Sequence, residues 1–152
     1  MKITAQEEYG LRCLIQLARQ DDDGVLSVKE IARREGISSA YAEKLLRLLS
    51  KAGLTQSARG TRGGYRLQRP SGEITLGNVV RALGNVQTTD EICGRYTGNR
   101  SACVHMDNCG IRSVWAGLTQ YIQQFMDHTP LTTLMQGEGE VQHIAFPPKS
   151  GA

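Results

Sequence analysis

The sequence predicts a mainly α-helical fold that contains a small β wing and ends in a long helix. Three patterns support this prediction. In the first half of the chain, short apolar stripes at helical spacing follow Ser or Thr residues suited to helix caps. A glycine-rich turn then separates two short β-prone segments, and a longer apolar stripe lies in the last third. With 152 residues, the chain has the length of one domain with extensions.

Capping patterns mark the first two helices. The segment from Thr4 to Glu7 has the spacing of a capping box, and the apolar positions after it recur at helical intervals. This pattern predicts a first helix over residues 5–19. The same spacing recurs from Ser27 to Glu30 and predicts a second, shorter helix.

A third helix follows a turn that contains Gly36. Either Ser38 or Ser39 can cap this helix, and Gly53 stops it. Its apolar side chains have helical spacing on one face: Ala42, Leu45, Leu46 and Leu49. Two helices joined by a short turn with glycine form a helix-turn-helix, whose second helix presents polar side chains to the major groove of DNA.

A two-stranded wing is predicted after the third helix. Residues 54–58 and 64–67 are the candidate strands, and the turn from Arg59 to Gly63 contains glycines that allow a tight tip. A fourth helix is predicted over residues 76–83 from its apolar spacing. Together these elements predict a winged helix-turn-helix.

The chain divides into four predicted parts. The winged helix-turn-helix occupies residues 1–84, and a polar, glycine-rich loop with three cysteines occupies residues 85–110. Apolar residues at helical spacing from Ile111 to Phe125 predict a long helix that ends near Thr129–Pro130, within a dimerisation segment of residues 111–135. Because one small chain cannot easily cover so broad a stripe, we expect this helix to form a homodimer. Residues 136–152 are polar and lack periodicity, which predicts a flexible tail.

Positive charge is concentrated in the first part of the chain. Residues 1–87 contain 14 Lys and Arg against 9 Asp and Glu, whereas residues 88–152 contain 4 against 6. Seven basic residues and no acidic residue lie in the segment from Lys44 to Arg69. Such a footprint favours a polyanion, so nucleic acid is the expected partner.

The first apolar stretch, residues 11–18, is too short and too charged for a signal peptide or a membrane span. We therefore expect a cytoplasmic location and no membrane partner. In that reducing compartment, four cysteines suit metal binding or redox chemistry better than a disulfide framework. The sequence lacks a CxxC pair and a nucleophile–base arrangement, which disfavours a thiol enzyme or an iron-sulfur assembly scaffold.

Three of the four cysteines lie close together in the sequence. Cys93, Cys103 and Cys109 fall within one predicted loop, and thiolates are ligands of iron-sulfur clusters and of many zinc sites. Their spacing alone does not choose the metal. Cys13 lies in the first apolar stripe, where a free cysteine behaves as a small buried hydrophobe, and we assign it no functional role.

Four segments together resemble a known family: Glu8 to Arg12, Ser39 to Leu46, Arg59 to Tyr65, and Ile74 to Gly77. They resemble the winged-helix regulators that include IscR and NsrR, over residues 1 to about 135. The wing and the 39–46 stretch are the specific parts. The resemblance implies a homodimeric transcription regulator, expected to be a repressor, that binds palindromic promoter DNA. Members with a cluster sense iron-sulfur status, nitric oxide or redox stress.

The resemblance also implies that the three clustered cysteines hold an iron-sulfur cluster with two or four irons. IscR-like members place a histidine three residues after the last cysteine, where this chain has Arg112, which stays protonated and does not ligate. Two candidates for a fourth ligand are His105, within the loop, and Glu8. NsrR-like members supply an acidic residue from the partner subunit at the matching place. An i, i+4 ion pair with Arg12 is the alternative for Glu8.

Two further interpretations keep the winged helix without a cluster. One places structural zinc on the three cysteines and His105, which makes the protein a constitutive DNA binder. The other uses the thiols directly as a redox switch that forms a disulfide.

A few side chains are candidates for contact with DNA. Glu43 can accept a hydrogen bond from a cytosine amino group, although an ion pair with Arg47 is the alternative. Arg59, at the wing tip, can enter a narrow minor groove. The resemblance implies the same roles for both residues. The candidates for phosphate contact are Ser39, Tyr41, Lys44, Arg47, Lys51 and Arg62. Tyr41 can equally pack beneath the helix, and the cations can equally form a solvated face.

Overall fold

The computed structural model describes residues 2–20, 24–60, 63–84 and 88–137. Within these ranges the chain order is α1 (Ala5–Ala18), α2 (Val28–Glu35), α3 (Ser39–Lys51), β1 (Thr55–Ala58), β2 (Gly64–Leu67), α4 (Leu76–Leu83), α5 (Thr89–Arg95), α6 (Gly110–Asp127) and α7 (Leu131–Leu134). The predicted mainly α-helical fold with a small β wing is confirmed. Within the described ranges, no helix combines the length and apolar character needed to cross a membrane.

The helix starts follow the capping chemistry of the sequence. The Thr4 hydroxyl accepts a hydrogen bond from the Glu7 N–H, and the Glu7 carboxylate accepts one from the Thr4 N–H at 2.7 Å. Ser27 caps α2 in the same way, but the Glu30 side chain does not complete the predicted capping box. It accepts hydrogen bonds from Arg33 and Arg34 instead, because these cations lie one turn along the same helix.

The turn between α2 and α3 is short. Gly36 ends α2 with a φ of 66°, in the left-handed region that glycine tolerates without a Cβ penalty. The Ser38 hydroxyl then accepts a hydrogen bond from the Tyr41 N–H at 3.2 Å and begins α3, so Ser38 rather than Ser39 is the cap. The helix-turn-helix predicted from the sequence is therefore present.

The core lies between the helices of this first domain. The apolar stripe predicted for α3 is fully enclosed, with Leu45, Leu46 and Leu49 inaccessible to solvent. Residues of α1, α2 and α4 close the core around it: Cys13, Leu14, Leu17, Ile31, Val79 and Leu83. Burial of these side chains supplies most of the driving force that holds the helix-turn-helix in one arrangement.

The wing is anchored to the helical domain by its backbone. β1 and β2 pair antiparallel, and Tyr65 exchanges backbone hydrogen bonds of 2.9 and 3.0 Å with Leu26. A Cβ atom at Gly64 would overlap the Leu26 carbonyl, so this close approach requires glycine. The Thr55 hydroxyl donates to the Leu46 carbonyl at 3.1 Å, which ties β1 to α3.

The long helix ends close to the predicted Thr129–Pro130 boundary, and a second, short helix follows within residues 111–135. α6 ends at Asp127, and a short α7 follows Pro130. The Leu131 N–H donates to the Ile74 carbonyl at 2.7 Å, and the Leu131 side chain is fully buried in the first domain. The chain thus returns to the winged domain after the long helix, because a proline cannot continue it and a leucine behind the proline is buried in the core.

The predicted cysteine loop also contains a helix. α5 begins with a complete capping box, in which Thr88 and Glu91 satisfy each other's backbone N–H groups. This Thr-x-x-Glu pattern was readable in the sequence and was missed. Residues 85–87, Arg62 at the wing and residues 138–152 of the predicted tail lie outside the described residues.

Candidate nucleic-acid interface and thiol site

The outer face of α3 is polar and accessible. Buried leucines hold its inner face, so the remaining positions point away from the core: Ser39, Ala40, Lys44, Arg47 and Lys51 are exposed. This leaves three cations and the N-terminal turn of α3 open to a ligand. An exposed basic helix in this position suits a DNA backbone, whose phosphates attract Lys and Arg.

Glu43 and Arg47 form an ion pair on this face. The distance from Arg47 Nη2 to Glu43 Oε1 is 2.6 Å, and both side chains remain substantially exposed. The Glu43 carboxylate is the first cause that raises the pKa of the Arg47 guanidinium, with a smaller contribution from Tyr65 in β2. In the protein without DNA, therefore, Glu43 forms the ion pair with Arg47 that was the alternative to base readout. Readout of a cytosine by Glu43 stays a prediction, since it needs this exposed pair to open on DNA.

Tyr41 packs partly into the protein. Its ring lies edge-to-face against the ring of Tyr9 in α1, with centroids 6.1 Å apart. The Arg12 guanidinium carbon lies 5.3 Å from the centroid of the Tyr9 ring. The packing alternative for Tyr41 is thus present. A phosphate contact through its hydroxyl stays a prediction.

The wing tip presents Arg59 to solvent. Gly60 follows with a φ of 127°, and the Gly63 N–H donates to the Gly60 carbonyl at 3.0 Å, so the tip turns sharply beside the arginine. Arg59 is therefore exposed at a sharp turn of the wing. Arg62, the candidate for phosphate contact in the same turn, is outside the described residues.

The three clustered cysteines lie along the segment from α5 to the start of α6. Cys93 is on α5, Cys103 is in the following turn, and Cys109 caps α6 by accepting a hydrogen bond from the Arg112 N–H at 3.4 Å. All three are half-buried thiols. Cys13, in contrast, is fully buried, and this burial raises the pKa of its thiol to about 12, as expected of a core residue.

Arg112 lies in the first turn of α6, one turn after Cys109, and an interaction of its side chain with the thiols was not predicted from the sequence. Its side-chain interaction with Cys93 is the largest cause that raises the pKa of the guanidinium, followed by the charges of Cys93, Cys109 and Cys103. Its Nη2 atom also contacts the Met106 sulfur at 3.7 Å. The three thiols therefore exert an electrostatic influence on a permanent cation in the first turn of α6.

The donor set fits an iron-sulfur cluster by its chemistry. Residues 93–109 are called the arm below. Their three partly accessible thiols are preferred ligands of such a cluster, and the nearby guanidinium favours an anionic group. Among the described residues, however, no group of three or more His, Cys, Asp and Glu side chains is arranged to hold a metal ion. Ligation of one metal centre by all three thiols therefore requires this segment to rearrange.

The two candidate fourth ligands are both accessible. His105 is exposed on the arm, and Glu8 is exposed on α1. Arg12 pairs with Glu35 at 2.8 Å, so the ion pair considered as the alternative role of Glu8 is not formed. This leaves the Glu8 carboxylate available, although the structure does not bring it to the three cysteines of its own chain.

A helix-turn-helix with a basic recognition helix and an arginine-tipped wing defines a winged-helix DNA-binding protein. The profile of one family, described as Rrf2: Iron-dependent Transcriptional regulator, matches residues 3–137. The chain belongs to the Rrf2 family. It is accordingly a DNA-binding transcription regulator and not an enzyme.

Known proteins similar to this chain agree with that assignment. The protein rrf2 of Nitratidesulfovibrio vulgaris is 35% identical over 136 residues, covering 90% of this chain and 88% of that protein. The regulator IscR of Aliivibrio salmonicida is 32% identical over 145 residues, covering 95% and 83%. Among solved structures, CymR, the global cysteine regulator of B. subtilis, has a TM-score of 0.71 at 29% identity, covering 89% of this chain and 96% of that one. T. potens IscR has a TM-score of 0.70 at 30% identity, covering 89% and 86%.

Proposed function

We propose that this transcription regulator is a homodimer whose affinity for a palindromic operator depends on an iron-sulfur cluster held by Cys93, Cys103 and Cys109. The observation that carries the proposal is that three half-buried thiols lie on α5, in the following loop and at the cap of α6, where α5 packs against α6. When bound, the cluster would supply a redox-sensitive centre that ties the three thiolates together. Repression is the expected sign of regulation.

The long helix supports a homodimer. Apolar residues of α6 remain exposed in the single chain, among them Ile111 at 66%, Val114 at 68% and Leu118 at 47%. A row of large apolar side chains in water is unfavourable and marks an interaction surface. A second copy of the chain is the expected partner, because most soluble oligomers are symmetric and a dimer presents two recognition helices to successive major grooves.

A physical path joins the thiols to the DNA-binding domain. Cys109 caps the first turn of α6, and Asp127, in the last turn, pairs with Arg81 of α4 at 2.7 Å. The Leu76 N–H also donates to the Thr129 carbonyl at 2.8 Å. Ordering of the arm by its thiols would therefore bias the position of α6, and α6 would bias the winged domain. Cluster and operator are then linked, by typically about 1 to 3 kcal/mol.

The fourth ligand would come from outside the three cysteines. Glu8 from a second copy is the preferred candidate, because its carboxylate is exposed and its competing pair with Arg12 is absent. Because such a ligand comes from the second copy, binding or loss of the cluster would directly change how the two copies are arranged. His105 is the alternative from within the arm.

On DNA, one set of side chains would contact phosphates and another would read the bases and the minor groove. Lys44, Arg47 and Lys51 would neutralise phosphates, together with Ser39, Tyr41 and Arg62, and would make affinity dependent on salt. Glu43 would read a cytosine after release of Arg47, and Arg59 would enter the minor groove beside the wing.

A regulator without a cluster is the second candidate, and one comparison favours it. CymR, with its TM-score of 0.71, is a global cysteine regulator. Under this alternative the thiols would bind zinc or act by disulfide formation.

The two candidates differ in what the purified protein contains. We would purify the wild type and Cys103→Ala without oxygen, with Cys13→Ala as a control that removes a thiol outside the arm. The visible spectrum, iron and acid-labile sulfide would be measured, and operators selected from random duplex DNA. The proposal predicts a brown wild type and control, a colourless Cys103→Ala, and operator affinity that changes on cluster loss. A colourless wild type with zinc, or with no metal, would overturn it.

A further inference from the structure

The carboxylate of Glu35 is buried at an electrostatically unfavourable position. Glu35 is the last residue of α2, directly before the turn that leads into α3, and its side chain is 6% exposed. The C-terminal end of a helix carries partial negative charge, and burial removes water from the carboxylate, so both effects disfavour a glutamate there. The two arginines of α2 pair with Glu30 instead. The compensation for Glu35 therefore comes from another element.

Two residues of α1 compensate this carboxylate. Arg12 Nε donates to Glu35 Oε2 at 2.8 Å, and Gln16 Nε2 donates to the other oxygen at 2.5 Å. Arg12 and Gln16 are one turn apart on α1, so both donors face the end of α2. A buried charge is tolerated when its partners hold it in good geometry. The end of α2 is therefore held against α1 by directional polar contacts, in addition to apolar packing.

Arg12 also reaches the start of α3 through two tyrosine rings. Its guanidinium carbon lies 5.3 Å from the centroid of the Tyr9 ring, within the range of a cation–π interaction. The Tyr9 ring lies edge-to-face against the Tyr41 ring, with an interplanar angle of 77°. Tyr41 belongs to the first turn of α3, and its N–H is the one that Ser38 caps. One arginine of α1 thus interacts with the end of α2 directly and with the start of α3 through Tyr9.

We propose that Arg12 is a positioning residue for sequence-specific DNA binding, because it fixes both sides of the turn between α2 and α3 and thereby the placement of α3 on a duplex. The proposal rests on the DNA-binding function of the family and needs no cluster. Two candidate DNA contacts, Ser39 and Glu43, lie within two residues of Tyr41. A small displacement of this turn therefore changes their distances to phosphates and bases.

The exposed pair of Arg33 and Glu30 supplies a matched control. Its N–O distance is also 2.8 Å, but both residues belong to α2, and their side chains are 72% and 32% exposed. Loss of the Arg33 cation removes one positive charge from the same helix-turn-helix. It leaves no buried carboxylate without its cation and no tyrosine ring without its neighbour.

The first test compares affinity for a selected operator with affinity for a scrambled duplex in the same salt. The wild type, Arg12→Gln, Arg12→Lys and Arg33→Gln would be compared at matched iron content. We expect the ratio of the two affinities to fall about tenfold in Arg12→Gln, the equivalent of about one lost base contact. Arg12→Lys keeps a cation beside Glu35 and Tyr9, so its ratio should stay within about threefold of the wild type. Arg33→Gln should keep the wild-type ratio.

A double variant separates positioning from stability. Arg12→Gln leaves the Glu35 carboxylate buried without its cation, so it should also lower the free energy of unfolding. Arg12→Gln combined with Glu35→Gln removes both charges, and urea titration should show that most of this loss is recovered. The affinity ratio of the double variant should still lie about threefold or more below the wild type, because no cation supports Tyr9. Recovery of the ratio together with the stability would show that Arg12 only stabilises the fold, which overturns the proposal.

Amide chemical shifts test the same inference without DNA. The shifts of residues 38–42, at the start of α3, should move in Arg12→Gln and in the double variant, while those of β1 and β2 keep their wild-type positions. Arg33→Gln should leave both sets unchanged. Unmoved shifts at residues 38–42, an unchanged affinity ratio in Arg12→Gln, or an equal fall of that ratio in Arg33→Gln would each refute the positioning role. The iron and sulfide content of the wild type decides the cluster separately, so the two proposals can fail independently.

Discussion

Arg81 and Asp127 join the DNA-binding domain to the long helix: Arg81 Nη2 lies 2.7 Å from Asp127 Oδ1. Gly77 lies beneath this pair, where a Cβ atom would overlap the Asp127 carboxylate. Because the pair is partly exposed, we expect it to add little to the free energy of unfolding. Its main effect is expected to be on the position of α6 relative to α4.

Arg81→Ala is accordingly expected to lower the free energy of unfolding by about 0.2 to 1 kcal/mol. Urea titrations of Arg81→Ala, Asp127→Ala and the double variant would form a double-mutant cycle. We expect the two losses to be less than additive in the double variant, because both substitutions remove one interaction. Full additivity would show that the pair has no energetic coupling.

Glu30 is expected to make stability depend on pH in the acid range. Hydrogen bonds from Arg33 and Arg34 lower the pKa of its carboxyl from 4.5 to about 2. Because the folded-state pKa is depressed, this contribution is present above about pH 4.5 and is lost as the pH falls toward 2. Urea midpoints between these pH values should fall less steeply in Glu30→Gln than in the wild type. Glu73→Gln is the control, and an equal change in both variants would contradict the prediction.

Gly64 is expected to be intolerant of any side chain. In Gly64→Ala the new methyl group would overlap the Leu26 carbonyl, so the wing must move away from the helical domain, at a cost of about 1 to 3 kcal/mol. Gly72→Ala is a matched control, because nothing lies within 4 Å of a Cβ atom there. Thermal unfolding and DNA affinity would be measured for both. Equal stability of the two variants would mean that the wing relaxes without cost.

Glu43 and Lys44 are expected to affect DNA binding in different ways. Glu43→Ala should relax base preference at one position of the operator half-site and lower discrimination there by about 1 to 3 kcal/mol. Lys44→Ala should weaken binding to all duplexes alike and reduce the salt slope by about 1. Selection from random duplexes and salt titrations would separate these effects. A Glu43→Ala protein with unaltered base preference would assign Glu43 to its pair with Arg47 alone.

Leu118 is expected to lie in a dimer interface on α6. Leu118→Glu places a charge within the exposed apolar stripe and should shift the protein to monomers, because burial of an unpaired carboxylate is costly. Gln120→Glu adds the same charge at an exposed polar position of the same helix. Sedimentation equilibrium would give the dissociation constants. A dimer that persists unchanged in Leu118→Glu would place the interface elsewhere.

Local chemistry determined much of this fold. Thr4, Ser27 and Ser38 begin their helices because each hydroxyl accepts a hydrogen bond from an unpaired N–H a turn away, an interaction between near neighbours in the sequence. Gly36 ends α2 for an equally local reason, its positive φ. The apolar spacing of α3 identified its buried face. The capping signal at Thr88 was as clear as these, and α5 was predictable on the same grounds.

Tertiary structure decided what depends on residues distant in the sequence. Pro130 marks the end of the long helix, but the position of Leu131 in the first domain follows from its contact with Ile74, which no local pattern indicates. Arg12 pairs with Glu35 rather than with Glu8 because α1 packs against α2. The residue types of the sequence predict the three thiols as ligands, but their positions relative to one another depend on the packing of α5 against α6, and such a contact has no signature in spacing.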